Sequence, residues 1–372
     1  MLRIGITGAS GFVGRNLQWR LRELGHGDIR LIGHQLGDAE LSRQVQGVDF
    51  VFHLAGVNRP QSPLEFDDGN SGFSQRLVAA LSRLPSPPAI AFTSSTQATL
   101  ENDYGRSKRK AEEALLEYGQ QCGASAYLFR LPNVFGKWCR PNYNSAVATF
   151  CHNITRGMPI SINDPAASLR LVYIDDVVDQ LIALLGAEQP ASGFVEVKAI
   201  YETTVGELVA ALTAFRDSRQ SMISERVGTG LTRALYATYV SYLPPESFAY
   251  SVPRHGDPRG VFVEMLKTPD AGQFSYFTAG PGITRGEHYH HTKTEKFLVI
   301  KGTAHFGFRQ IDTGETHELV SRGGEAQIVE TIPGWTHNIT NIGDDELIVM
   351  LWANEIFDRQ RPDTIAMKVK QP

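Results

Sequence analysis

Apolar residues in the first half of the chain come in short runs: Leu2–Thr7, Ile29–Ile32, Phe50–Ala55, Ile90–Thr93 and Tyr127–Leu131. Helically spaced stretches such as Phe12–Leu24 and Tyr104–Gln121 separate them. Strands alternating with helices predict right-handed crossovers and a parallel sheet covered on both faces. Between Thr203 and Tyr242 the pattern is helical, until Pro244, Pro245, Pro253 and Pro258 with Gly256 and Gly260 break it. Beyond Gly260 the runs shorten to Phe297–Ile300, Ala304–Phe308, Gln327–Val329 and Leu347–Trp352, divided by glycine and aspartate turns. Short strands with turn signals predict an antiparallel barrel or jelly roll. The expected architecture is a Rossmann-type doubly wound α/β domain over residues 1–243, followed by an all-β domain over 244–372.

A length of 372 residues fits two domains, because single cores rarely grow beyond about 250 to 300 residues. The net charge of −4, with no basic run, gives little reason to bind nucleic acid or an anionic membrane. Met1 leads into an apolar strand without the basic region and cleavage site of a signal peptide, and no apolar run is long enough to cross a bilayer. The expectation is a soluble cytoplasmic protein with no membrane partner. Cys122, Cys139 and Cys151 show no C-x-x-C spacing and read as free thiols.

Gly8, Gly11 and Gly14 follow a predicted strand and open a predicted helix, with Phe12 beginning the helix. Such a turn lets a pyrophosphate approach the backbone and rest on free N–H groups at a helix N-terminus. The spacing resembles that of the extended short-chain dehydrogenase/reductases. After Ile32, where NAD enzymes carry a ribose-binding acid, stand Gly33, His34 and Gln35. Without that carboxylate a 2′-phosphate meets no repulsion, which favours NADPH, with His34 a candidate contact. Leu54, Ala55 and Gly56 resemble the small-residue turn beside the cofactor.

Tyr104 and Lys108 lie four apart on one helical face, where the ammonium favours phenolate and suits Tyr104 to donate a proton to a carbonyl oxygen. In the resembled family Lys108 also binds the nicotinamide ribose. Phe92–Ser95 is the strand end that carries the family's catalytic hydroxyl, and Ser95 is preferred over its neighbour Ser94. Sugar dehydratases of the family place an Asp-Glu pair directly after that hydroxyl. Here Thr96 and Gln97 occupy those positions, which favours simple carbonyl reduction. The stretch Arg130–Gly136 resembles the loop flanking nicotinamide and sugar diphosphate and makes Asn133 a substrate contact. Arg170 stands one position from the family's usual arginine, which Leu169 replaces.

In the all-β segment His288 and His290, two apart on a predicted strand, point the same way. With Glu295 and His337 they make a four-ligand set that suits zinc, iron, manganese or nickel. The flanking Gly282, Gly302, Gly334 and Asn341 complete a pattern resembling both halves of the cupin signature, with Pro333 displaced. His255, His305 and His317 read as structural, and His291 as facing away from the metal.

Five stretches extend the resemblance over nearly the whole chain: Leu54–Pro60, Pro132–Cys139, Pro141–Ser145, Tyr239–Pro244 and His288–Lys293. They resemble the CapF-type bifunctional enzymes of capsular polysaccharide synthesis, in which a UDP-sugar reductase is fused to a zinc cupin. The resemblance implies zinc as the metal, a homodimer, and a role in making UDP-N-acetyl-L-fucosamine precursors for capsule or O-antigen. The cupin would invert C3 of a UDP-2-acetamido-2,6-dideoxy-4-hexulose and the reductase would reduce C4. The chemistry is coherent by itself, since a C4 ketone both acidifies the C3–H and accepts hydride. Two other readings stand beside it: an NAD-retaining nucleotide-sugar epimerase with a substrate-binding cupin, and a non-catalytic nucleotide-sugar sensor or scaffold.

Overall fold

The computed structural model describes residues 2–58, 62, 64–186, 190–253, 255–257, 260–262, 266, 268, 272–355 and 360–370. Arg59, Pro60 and Pro258 of the stretches named above lie outside these. The chain divides into two compact units that interleave in sequence. The first comprises residues 1–135, 142–145 and 169–202, and the second comprises 136–141, 146–168 and 203–372.

The first unit is built on a six-stranded parallel sheet with strand order Ile29–Ile32, Ile4–Thr7, Phe50–His53, Ala89–Ser95, Ala126–Leu131 and Gly193–Phe194. Ile4–Thr7 and Phe50–His53 are buried along their whole length, as expected for central parallel strands covered on both sides. The Phe12–Glu23 and Asp103–Cys122 helices appear where periodicity placed them. Asn102 caps the latter through Gly105 N (2.7 Å), and Gly123 ends it in the left-handed region. The order of strands reverses at Ile4–Thr7, and ligands of open α/β sheets bind outside the carboxyl ends of the strands at such a point. Gly8 and Leu54–Gly56 stand there. A separate three-stranded sheet, Asn133–Phe135, Ser168–Tyr173 and Ile200–Thr204, has no counterpart in the sequence reading.

The second unit contains two five-stranded sheets. One runs in the order Ala249–Ser251, Gln327–Glu330, Glu295–Lys301, Leu347–Ala353 and Gln273–Ala279. The other runs Thr316–Arg322, Thr303–Gln310, Trp335–Asn341, Thr284–Tyr289 and Ile365–Ala366, and the pairings in both are antiparallel. The Val205–Ser221 helix, opened by a Thr204/Glu207 capping box, packs in this same unit. Its Arg219 meets the buried Glu330, which also meets the buried Lys296. Lys296 Nζ donates to Tyr250 OH at 3.0 Å, and Asn354 reaches the Val227 carbonyl at 3.4 Å. Residues 203–243 therefore pack with the strands that follow them in sequence.

Candidate active site and metal centre

Gly8 takes φ 65°, and a Cβ there would stand 2.6 Å from Ala55 N. A Cβ on Gly14 would lie 2.3 Å from the Gly8 carbonyl oxygen. Both positions therefore require glycine, one for backbone conformation and both for close approach. Gly11 precedes the Phe12–Glu23 helix with no side-chain cap and no acid in its first turn, so the first N–H groups remain open to an anion.

The Leu54–Gly56 turn is fixed by a buried chain of hydrogen bonds. Leu54 N and Ala55 N each donate to Thr7 Oγ1 at 3.1 Å. With both lone pairs used, the Thr7 hydroxyl proton points to His53 Nδ1, 2.7 Å away. His53 Nε2 is 2.8 Å from Ser74 Oγ, which donates to the Asn70 carbonyl at 2.7 Å. His53 is thereby the neutral Nε2–H tautomer. Burial, with Lys108 adding to it, lowers its pKa to about 3.

Lys108 is buried, donates to the Thr93 carbonyl at 3.2 Å and sits 4.8 Å from the centre of the Phe92 ring. Burial lowers its pKa to about 8, against the opposing pull of Glu112. A Cβ on Gly56 would lie 3.0 Å from Lys108 Nζ and 3.0 Å from Asn70 Oδ1. Tyr104 is hydrogen-bonded to Ser95, packs on Phe66 with ring centres 5.6 Å apart, and feels Tyr143. Burial raises the Tyr104 pKa while Ser95 lowers it. The lowering expected from Lys108 is not what the site shows: burial, which penalises phenolate, dominates, and the opposing pull comes from Ser95. Ser94 instead donates to Glu112 Oε1 at 2.5 Å, and Glu112 also holds Arg130 at 2.6 and 2.9 Å. That leaves Ser95 as the hydroxyl beside Tyr104.

His34 is exposed at the end of Ile29–Ile32. Arg76, which sequence reasoning did not select, approaches the Leu36 carbonyl and pairs with Asp38 at 2.7 Å in the turn that follows. Asn133 is exposed and pairs in register with Leu171, the neighbour of Arg170. Arg170 is exposed and lies 3.5 Å from Glu202. Asn70 was also missed. It lies in a π-helical turn, Asp67–Gly72, and brackets Val57 with bonds of 2.9 and 3.1 Å while reaching Ser107 at 3.0 Å. π-Turns mark functional sites often but leave no periodic signal in a sequence.

In the second unit, His288, His290, Glu295 and His337 each offer one ligand atom, and all four atoms lie within 4.8 Å of one another. Glu295 Oε2 is 3.3 Å from His290 Nε2 and 3.5 Å from His337 Nε2, while Oε1 is 3.1 Å from Lys293 Nζ. Burial, and after it the neighbouring His337 and His290, lower the His288 pKa to about 3. His337 is buried, with Glu295 the carboxylate facing its Nε2, and burial lowers its pKa. Three buried or half-buried imidazoles converging on one carboxylate are the donor set a borderline divalent cation prefers.

His288 reaches this cluster through a break in the pleat, not through uninterrupted alternation. A β-bulge lies between Gly286 and His288, with Glu287 at φ 60°, and sets His288 opposite His337. His290 lies beyond the strand end at Tyr289. His291 turns toward Tyr289, with ring centres 5.6 Å apart. His305 lies 3.4 Å from Glu318, and His317 packs edge-on against Phe248. The His255 side chain lies outside the described residues. Trp138 has φ 68° and presses on Gly334, where a Cβ would meet its ring at 3.0 Å. Positive φ in a bulky residue costs about 1–3 kcal/mol and persists only where surroundings enforce it. Gly334 N in turn donates to the His290 carbonyl at 2.9 Å.

Fold and site together define a short-chain-type α/β unit joined to an antiparallel β unit whose four His and Glu residues could hold a metal ion. Residues 4–195 match the NAD dependent epimerase/dehydratase family, and residues 255–365 match the polysaccharide biosynthesis C-terminal domain; the chain belongs to the former family. It is 55% identical over 368 residues, 99% of each chain, to the UDP-2-acetamido-2,6-beta-L-arabino-hexul-4-ose reductase of Pseudomonas aeruginosa. Its fold matches the capsular polysaccharide assembling protein CapF of Staphylococcus aureus with TM-score 0.68 and 41% identity, covering 99% of this chain and 100% of that one. A UDP-N-acetylglucosamine 4-epimerase from Methanobrevibacter ruminantium shares the fold over 58% of this chain and 83% of its own, with TM-score 0.52 and 21% identity. Among the described residues no helix is long and apolar enough to cross a membrane.

Proposed function

We propose that the chain is a bifunctional UDP-2-acetamido-2,6-beta-L-arabino-hexul-4-ose C4-reductase and C3-epimerase, supplying the precursor of UDP-N-acetyl-L-fucosamine for capsule or O-antigen. The reductase chemistry lies within residues 1–243, of which 203–243 pack with the strands that follow, and the cupin epimerase chemistry lies within 244–372, in a cytoplasmic homodimer. The observation that carries this reading is the Tyr104–Ser95 hydrogen bond beside buried Lys108, at the carboxyl edge of a sheet whose chain also bears a four-ligand His/Glu cluster.

In the reductase, Gly8, Gly11, Phe12 and Gly14 hold the pyrophosphate, Leu54–Gly56 lie along the dinucleotide, and His34 with nearby Arg76 meets the 2′-phosphate of NADPH. Ser95 donates to the C4 oxygen and holds the ketone beside Tyr104, which releases its phenolic proton to that oxygen as C4 becomes tetrahedral. Lys108 would bind the nicotinamide ribose, and its positive charge would stabilise the phenolate left behind. Asn133 and Arg170 contact the sugar diphosphate. In the cupin, His288, His290, Glu295 and His337 hold zinc. Bound NADPH supplies the hydride for C4, and bound zinc supplies Lewis-acid polarisation of a carbonyl, which acidifies the neighbouring C3–H.

The test follows NADPH absorbance with the 4-keto sugar. Wild type should oxidise NADPH, and Tyr104→Phe should lower the rate by about 10²–10⁴-fold, the usual worth of a positioned general acid. An inactive wild type, or a fully active Tyr104→Phe variant, would reject the reading.

A further inference from the structure

The metal-binding cluster is held by residues far along the chain. Ile365–Ala366 pairs with Thr284–Tyr289 and sets Ala366 opposite His288. Further on, Met367 N donates to the Glu287 carbonyl and Val369 N to the Glu287 carboxylate, both at 2.8 Å. Thr336, next to His337, donates to the Met367 carbonyl at 2.5 Å, and Arg309 binds the Lys368 and Val369 carbonyls at 2.8 Å each. Residues 363–369 thus form a strap across the sheet that presents His288 and His337.

At the start of the strap, Asp363 makes five hydrogen bonds to the turn that carries His290. Its carbonyl faces His290 Nδ1 at 2.5 Å. Its Oδ1 accepts from His291 N at 2.9 Å, and its Oδ2 accepts from Thr292 N at 2.7 Å, Thr292 Oγ1 at 3.0 Å and Lys293 N at 2.8 Å. A carbonyl can only accept, so Nδ1 carries a proton and the His290 lone pair belongs to Nε2, the nitrogen that faces Glu295.

We propose that Asp363 is a positioning residue of the metal centre. Its carboxylate gathers the backbone of residues 291–293, its carbonyl fixes the tautomer and tilt of His290, and the strap behind it completes the site. This inference rests on the metal-binding reading above. A ligand's outer partner is typically worth about 10–100-fold in metal affinity, and losing the carboxylate also releases the carbonyl that orients the ring.

The test uses the full chain as wild type, Asp363→Asn and Asp363→Ala. Zinc affinity is measured by competition with a chromophoric chelator, and the cobalt-substituted proteins by proton NMR of the shifted, exchangeable imidazole N–H signals. Asp363→Ala should bind zinc about 10–100-fold more weakly and exchange its His290 N–H faster than wild type. Asp363→Asn, retaining one acceptor oxygen, should fall between the two. Wild-type affinity and unchanged N–H exchange in Asp363→Ala would overturn the proposal. If Asp363→Ala does not fold, the other two proteins decide: a His290 N–H that exchanges freely in wild type, or equally in wild type and Asp363→Asn, overturns it too. A wild type that takes up neither zinc nor cobalt would reject the metal reading itself.

Discussion

His53 is locked neutral by its neighbours, which makes the first unit sensitive to acid in a calculable way. Thr7 donates to Nδ1, and Ser74, whose own proton goes to the Asn70 carbonyl, accepts from Nε2. A second ring proton therefore has no acceptor. The folded pKa of about 3 lies below the ordinary 6.5, so the unfolded chain binds the proton first. Stability is fully present above pH 6.5 and declines as pH falls toward 3. Single-site linkage gives about 2 kcal/mol lost between pH 7.5 and pH 5. Urea unfolding of wild type and His53→Gln at both pH values isolates this loss, since Gln keeps a donor and an acceptor but does not titrate. The metal-site histidines contribute equally to both proteins and cancel in the comparison. Native-state exchange of the Leu54 and Ala55 amides, corrected for intrinsic rates, localises the effect. The variant should begin less stable and lose about 2 kcal/mol less than wild type on acidification. Equal losses would refute the neutral-His53 network.

Gly14→Ala forces a Cβ toward the Gly8 carbonyl, and should cost about 1–3 kcal/mol of overpacking, seen as weaker NADPH binding in a fluorescence titration. Glu112→Ala strands Arg130 and frees Ser94. Because the Arg130 side chain is one-third exposed, the expected loss is about 2–3 kcal/mol, below that of a fully buried pair, measured by urea unfolding. Glu330→Ala leaves Lys296 and Arg219 without their shared carboxylate, and should destabilise the second unit by about 3–5 kcal/mol in the same assay. On the proposed zinc reading, adding zinc to chelator-treated protein should raise the second unit's thermal midpoint, and chelating it again should reverse the gain.

The parallel sheet was legible because its central strands are buried on both faces and so read as unbroken apolar runs. The ends moved by a residue or two, as at Leu2 and Ala55, where pairing stops before hydrophobicity does. The glycine turn and the Ser95, Tyr104 and Lys108 set were legible because their spacing is local. His288, His290, Glu295 and His337 could be picked out by type and spacing, and they do come together, but the reason they converge was not legible. A bulge at Gly286 and a turn after Tyr289 replace simple alternation, and only pairing with Trp335–Asn341 reveals them. Asn70, Arg76 and Asp363 stayed hidden for a related reason. Each acts through partners far away in sequence, Asp363 across some seventy residues, and no periodicity connects them. The Tyr104 pKa was misjudged because a sequence shows the neighbouring lysine but not the depth of burial.

The most direct test of a ketone shared by two sites is solvent deuterium uptake by Tyr104→Phe in deuterium oxide, followed by NMR of the 4-keto sugar at C3. The account predicts that deuterium enters C3 while NADPH stays unoxidised, and that His290→Ala blocks the uptake. A C3 that stays fully protonated, or exchanges equally without His290, would contradict it.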